Sequence, residues 1–127
     1  MDLSSLNNST NRIINKVQEY LDNIPEIEFA DFQKQQDVKY ISDQYNEIVQ
    51  LYSNLLKLIT EVQFFTSQCS KIAKLLSGNS NLERAQQAKV KSALSLVKEV
   101  ASPLETERDR LKTIEMFYRA LYTKRDF

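Results

Sequence analysis

The 127-residue chain has no histidine, a single cysteine (Cys69), one glycine and two prolines. The absence of histidine removes the commonest metal ligand and general base, and one cysteine cannot form an internal disulfide. These absences exclude zinc sites of the usual kind and catalysis by Ser-His or Cys-His pairs. We therefore expect a non-enzymatic protein with no catalytic, cofactor-binding or metal site and no small-molecule substrate.

The scarcity of glycine and proline also bears on the fold, because proteins rich in β-structure need these residues at their turns. The composition therefore favours an all-α fold. No apolar run reaches the roughly 18 residues of a membrane-spanning helix, and residues 1–5 lack the basic and apolar regions of a signal peptide. We expect an intracellular protein located in the cytoplasm, with the nucleus as the alternative.

The charges are balanced, with 17 basic and 17 acidic side chains. Binding to nucleic acid requires a concentrated basic stripe, and only the C-terminal tail comes near one. The tail residues that could contact an acidic partner, a membrane or nucleic acid are Arg119, Lys124 and Arg125. Three cations are weak evidence, so we do not expect nucleic-acid binding, and any membrane contact would be peripheral.

The N-terminal region predicts a flexible tail over residues 1–8 and a short amphipathic helix over residues 9–24. Apolar residues recur three or four positions apart from Ile14 to Ile24, which is typical of a helix with one buried face. Pro25 then ends the helix, because the residue before a proline is driven out of the helical conformation.

Two long helices are predicted, over residues 34–77 and 81–123. Each contains apolar residues that alternate steps of three and four, which we call its heptad stripe. The first stripe includes Val38, Ile41, Tyr45, Ile48, Tyr52, Leu55, Ile59 and Val62, and the second includes Val90, Val97, Leu104, Leu111, Ile114, Tyr118 and Leu121. The only glycine lies between the helices, where a helix end favours a left-handed residue.

Pro103 interrupts the second long helix, and its neighbours resemble the start of a new one. The heptad phase is nevertheless the same on both sides of the proline. A new helix packed in another direction would have no reason to keep that phase. We therefore favour one helix kinked at Pro103 over two separate helices.

The lengths of these helices predict the shape. A helix over residues 34–77 would be roughly 65 Å long at 1.5 Å per residue, whereas a compact domain of this size has a diameter of roughly 36 Å. The predicted fold is thus an elongated antiparallel helical hairpin, similar to a coiled coil, with a short N-terminal helix. Residues 1–127 would form a single helical unit.

The apolar surface is wider than two helices need, because large side chains also border the stripes on their flanks. Exposed apolar area of this size is typical of a surface that binds partner helices. The candidate interface residues are Val49, Leu51, Leu56, Leu58, Phe64, Phe65, Ile72, Leu94, Leu96, Met116 and Phe117.

Two residues have alternative interpretations. Phe64 lies opposite the stripe and is either an anchor for a partner or packed under the N-terminal region, and the sequence favours neither. Glu107 occupies a stripe position, where a charge is costly unless it is paired or hydrated. It either fixes the pairing register or is hydrated at an opening beside Pro103, and we favour hydration.

The sequence predicts a non-catalytic structural or adaptor subunit of a multi-protein complex, which assembles with helical proteins, most simply as a hetero-oligomer. The alternative is a self-associating adaptor that uses its basic tail to contact a membrane or nucleic acid.

Overall fold

The computed structural model describes residues 2–76 and 78–124. Within those residues the chain is 86% helical and contains no strand, so the prediction of an all-α fold is confirmed.

The first helix, α1, spans Leu6–Asp22 and follows a short 3-10 turn at Leu3–Ser5. It begins before the predicted residue 9, because Asp2 and Ser5 form a reciprocal capping box at the 3-10 turn. Leu6 is already buried in what was expected to be a flexible tail. The helix ends at Asp22, two residues before the predicted end at residue 24.

A one-turn helix, α2, spans Phe32–Gln35, and the long helix α3 spans Val38–Leu75. The predicted start at residue 34 is therefore too early. The side chain of Asp31 accepts a hydrogen bond from the Lys34 N–H at 2.8 Å, and that of Asp37 accepts one from Tyr40 at 3.1 Å. Each aspartate caps a separate helix, which divides the segment in two.

The chain reverses between α3 and the next helix, α4, which spans Asn81–Ala101. Ser77, the predicted last residue of the long helix, lies outside the described residues. The Ser80 hydroxyl accepts a hydrogen bond from the Glu83 N–H at 3.1 Å and caps α4. The start of α4 at residue 81 is therefore the predicted one.

The last helix, α5, spans Pro103–Lys124, and α4 and α5 join into one bent helix, which confirms the predicted kink. A proline cannot donate to the carbonyl four residues earlier, which here belongs to Glu99. That carbonyl instead accepts hydrogen bonds from the Ser102 N–H at 3.4 Å and the Ser102 hydroxyl at 3.0 Å. The chain thus stays helical through the proline.

The contacts of the chain group into two compact units. The first unit comprises Met1–Asn23 and Leu58–Leu104, and the second comprises Ile24–Lys57 and Glu105–Phe127. In the first unit α1 packs against α4. The buried apolar residues of this unit are Leu6, Ile13, Val17, Phe65, Cys69, Val90, Val97, Ala101 and Leu104.

The core of the second unit joins α3, α5 and the segment before α2. Its buried cluster consists of Ala30, Ile41, Ile48, Ile114 and Tyr118. Tyr45 near the start of α3 stacks on Tyr122 near the end of α5, with ring centroids 4.8 Å apart. Within this unit the two helices therefore run antiparallel.

The backbone conformation of Gly78 predicts how the turn between α3 and α4 responds to substitution. Its φ is +72°, in the left-handed region, and a Cβ added there would have its nearest neighbours at 3.8 Å. Space is thus available, and only the backbone conformation opposes a side chain. Urea unfolding should show that Gly78→Ala loses roughly 1–2 kcal/mol, and Gly78→Asn should lose less because asparagine tolerates this conformation. An unchanged stability of the alanine variant would contradict this account.

Candidate partner-binding grooves

Residues 24–31 form a strap that has no regular secondary structure and packs on α5. The Tyr118 hydroxyl donates a hydrogen bond to the Glu28 carbonyl at 2.7 Å, and the Arg110 guanidinium donates one to the Pro25 carbonyl at 3.0 Å. The Phe29 ring meets the Phe117 ring edge to face, with centroids 4.9 Å apart. The strap therefore covers one side of the α3–α5 pair.

Glu107 lies next to this strap contact. The favoured prediction that its carboxylate is hydrated is wrong. Its side chain is only 7% exposed and forms a salt bridge with Arg110. Both carboxylate oxygens accept hydrogen bonds from the guanidinium, with 3.0 Å between Arg110 Nε and Glu107 Oε2. Because Arg110 also binds the Pro25 carbonyl, the buried carboxylate helps to position the strap.

Tyr118 is the second residue that attaches the strap. It is fully buried, and burial raises the pKa of its phenol, while its interaction with the Tyr40 hydroxyl raises it further. The phenol therefore stays protonated in the folded protein well above the pH at which a free tyrosine ionises. Only the protonated phenol can donate the hydrogen bond to the Glu28 carbonyl that attaches the strap.

A groove between α3 and α5, of about 390 Å³, contains predicted interface residues. Val49 and Leu56, seven positions apart on α3, are 43% and 37% exposed. The residues that line this α3–α5 groove are Val49, Tyr52, Ser53, Leu56, Lys112, Glu115 and Arg119. The α3 wall is uncharged, and the α5 wall carries two cations and one carboxylate.

A second groove, of about 650 Å³, lies between α1 and α3 in the first unit. The residues that line this α1–α3 groove are Ser9, Arg12, Ile13, Lys16, Thr60, Glu61, Phe64 and Phe65. Lys16 and Glu61 form a salt bridge across it, with 2.8 Å between Nζ and Oε2. Phe64 lines the groove but is still 66% exposed, so it is not packed under the N-terminal helix.

Two predicted interface residues contact other residues of this chain. Phe65 is 4% exposed and belongs to the core of the first unit, and Phe117 packs against Phe29 of the strap and against Tyr118. Both lie on flanks of a heptad stripe that the chain itself covers. Of the others outside the grooves, Leu96 and Met116 are exposed, while the half-buried ones are Leu51, Leu58, Ile72 and Leu94.

The tail residues differ in their surroundings. Arg119 forms a salt bridge with Glu115, one helical turn away, at 2.9 Å. Lys124 is exposed, and Arg125 lies outside the described residues. The pairing of Arg119 reduces the positive charge that the tail offers to an anionic surface.

The sequence prediction named Arg119 only as a tail contact and did not name the other charged groove residues, which are Arg12, Lys16, Glu61, Lys112 and Glu115. Arg12 and Lys16 are spaced four apart on α1, as are Glu115 and Arg119 on α5, so their shared faces could have been found from helical spacing. The pairing of Lys16 with Glu61 had no such signal, because the two residues are 45 positions apart.

Three kinds of feature that would point to a function are absent: a metal-binding cluster and a membrane-spanning helix in the described part of the chain, and a match to a known protein. Among residues 2–76 and 78–124 no group of His, Cys, Asp and Glu side chains could hold a metal ion. In the same part of the chain no helix has the length and apolar character needed to cross a membrane. No family model, curated protein or solved structure matches this chain.

The salt bridge between Glu107 and Arg110 predicts unequal effects for its two partners. Arg110→Ala leaves the buried carboxylate without its guanidinium and should cost roughly 3 kcal/mol or more. Glu107→Ala leaves a guanidinium whose side chain is 35% exposed and can reach water, so the cost should be about 1–2 kcal/mol. Urea unfolding of both variants measures the difference, and equal losses would contradict the assignment.

Tyr118 predicts a loss of stability at alkaline pH. Its pKa is raised on folding, so the stabilisation is complete below the unfolded-state value of about 10 and decreases as the pH rises above it. Between pH 10 and 11 the wild-type free energy of unfolding should therefore fall more steeply than that of Tyr118→Phe, by up to about 1.4 kcal/mol per pH unit. Tyr52→Phe serves as the control outside the strap contact. Parallel pH profiles for wild type and Tyr118→Phe would count against the prediction.

Proposed function

We propose that this chain is a non-catalytic structural or adaptor subunit of an intracellular multi-protein complex, which assembles with helices of partner proteins through bundle packing. The observation that carries the proposal is the α3–α5 groove. Its apolar residues Val49 and Leu56 lie one heptad apart and are exposed to solvent.

The spacing of these residues supports a helical partner. An amphipathic helix presents anchor residues at positions i, i+3, i+4 and i+7, which match an apolar groove between two antiparallel helices. In the first unit the chain supplies such a third helix itself, since α1 packs against α4 and pairs with α3 through Lys16 and Glu61. In the second unit the strap contacts α5 at Arg110 and Phe117, and neither of these residues lines the α3–α5 groove.

The charges of the C-terminal region support protein partners over a membrane or nucleic acid. Glu115 pairs with Arg119, one of the cations that the alternative function would use. A self-associating adaptor that binds anionic surfaces therefore draws less support than a subunit of a complex.

The test compares two variants of the tagged protein, expressed from its own locus and purified under gentle conditions. Val49→Glu places a charge in the α3–α5 groove and should weaken association by about tenfold or more, because it charges an apolar contact. Gln50→Glu makes the same acidic side chain at the neighbouring exposed position and is the matched control.

The expected wild-type particle contains a fixed set of helical proteins, identified by mass spectrometry and weighed by light scattering. Those proteins should be lost from Val49→Glu and retained by Gln50→Glu, with equal circular dichroism for all three. Recovery of the wild type as a monomer or homodimer would refute the proposal. An unchanged Val49→Glu particle would remove the α3–α5 groove as its basis.

A further inference from the structure

The α1–α3 groove contains two cations in different surroundings. Arg12 and Lys16 are one helical turn apart on α1, and both line the groove. Lys16 reaches across it to the Glu61 carboxylate at 2.8 Å. Within residues 2–76 and 78–124, Arg12 forms no salt bridge, so no carboxylate in that part of the chain pairs with its guanidinium.

The side chains one turn beyond Glu61 on α3 are aromatic. Phe65 is buried and forms the floor of the groove with Ile13, whereas Phe64 is mostly exposed at its rim. Lys16 meets the Glu61 carboxylate, and the groove-lining side chains of α3 one turn beyond Glu61, Phe64 and Phe65, are both apolar. A cation beside an open aromatic surface is complementary to a ligand that has both an apolar and an anionic group.

We propose that the α1–α3 groove is a docking site for an acidic amphipathic helix of a partner protein. An apolar side chain of that helix packs on Phe64 and Ile13, and an aspartate or glutamate one turn away pairs with Arg12. This assignment rests on the proposed function, and it names the chemistry of one partner. The charge of the groove selects this occupant, because its side chains comprise two cations and one anion, and the anion is already paired.

The surrounding chemistry also defines how the partner is recognised. A charged pair at the edge of an apolar contact fixes register and orientation, while the apolar contact supplies most of the affinity. Arginine and aromatic side chains are the residue types that commonly dominate such interfaces. The two contributions are separable by changing Arg12 and Phe64 independently.

The experiment replaces Phe64 with the photoreactive aromatic p-benzoylphenylalanine in the full-length protein in its native cells. After irradiation, the cross-linked peptide is sequenced by mass spectrometry. The expected peptide comes from a different protein, has helical apolar spacing and carries an aspartate or glutamate within one turn of the cross-linked residue. A peptide from this chain itself, a peptide without such a carboxylate, or no cross-link would overturn the proposal.

Charge reversal supplies the second measurement. In the photoreactive background, Arg12→Glu should lower the cross-link yield by about fivefold or more, and Arg12→Lys should retain most of it. Lys91→Glu is the matched control, because it reverses an exposed charge on α4 outside the groove. Equal yields for Arg12→Glu and Lys91→Glu would contradict a role for Arg12.

The result is distinguishable from a failure of the proposed function. A particle that still requires Val49 but gives no acidic cross-link at Phe64 would overturn this assignment alone. A protein recovered by itself, with no foreign cross-link, would overturn both.

Discussion

Two helices packed side by side can each bury only one stripe of apolar residues, and the other elements of this chain depend on that constraint. Large apolar side chains also lie on the flanks of the stripes, and they need cover from a third element. In the first unit that element is α1, a helix whose Ile13 and Val17 are buried. In the second unit it is the strap, which has no regular hydrogen bonds of its own. Its carbonyls therefore require donors from elsewhere, and Arg110 and Tyr118 provide them.

Most of the helical structure could be predicted from the sequence because its signals are local. Heptad spacing predicted α3, α4 and α5, the single glycine predicted the turn, and the unbroken phase across Pro103 predicted a bent helix. The strap could not be predicted in this way. Its hydrogen bonds join residues 85 and 90 positions apart, from Arg110 to Pro25 and from Tyr118 to Glu28. Spacing within a helix carries no information about such pairs.

The same limit applies to the candidate interface residues. The pattern predicted an apolar surface wider than two helices need, and of its residues Val49, Leu56 and Phe64 are exposed in the structure. It carried no information about which flank the chain covers itself, and in the structure Phe65 is buried and Phe117 packs against Phe29 of the strap. Glu107 illustrates the point for charge. Its position in the stripe showed that the carboxylate needed a partner or water. Its proximity to the strap depends on the tertiary structure and could not be predicted from helical spacing.

The way in which the strap is held has a consequence for evolution. Arg110 and Tyr118 bind main-chain oxygens, which every residue type carries, so replacing the side chains at positions 25 and 28 removes no hydrogen-bond acceptor. Replacing either donor on α5 does remove a contact. Divergence among related chains should therefore accumulate in the strap at these two positions, while the matching positions of α5 change slowly, although both sides belong to one contact.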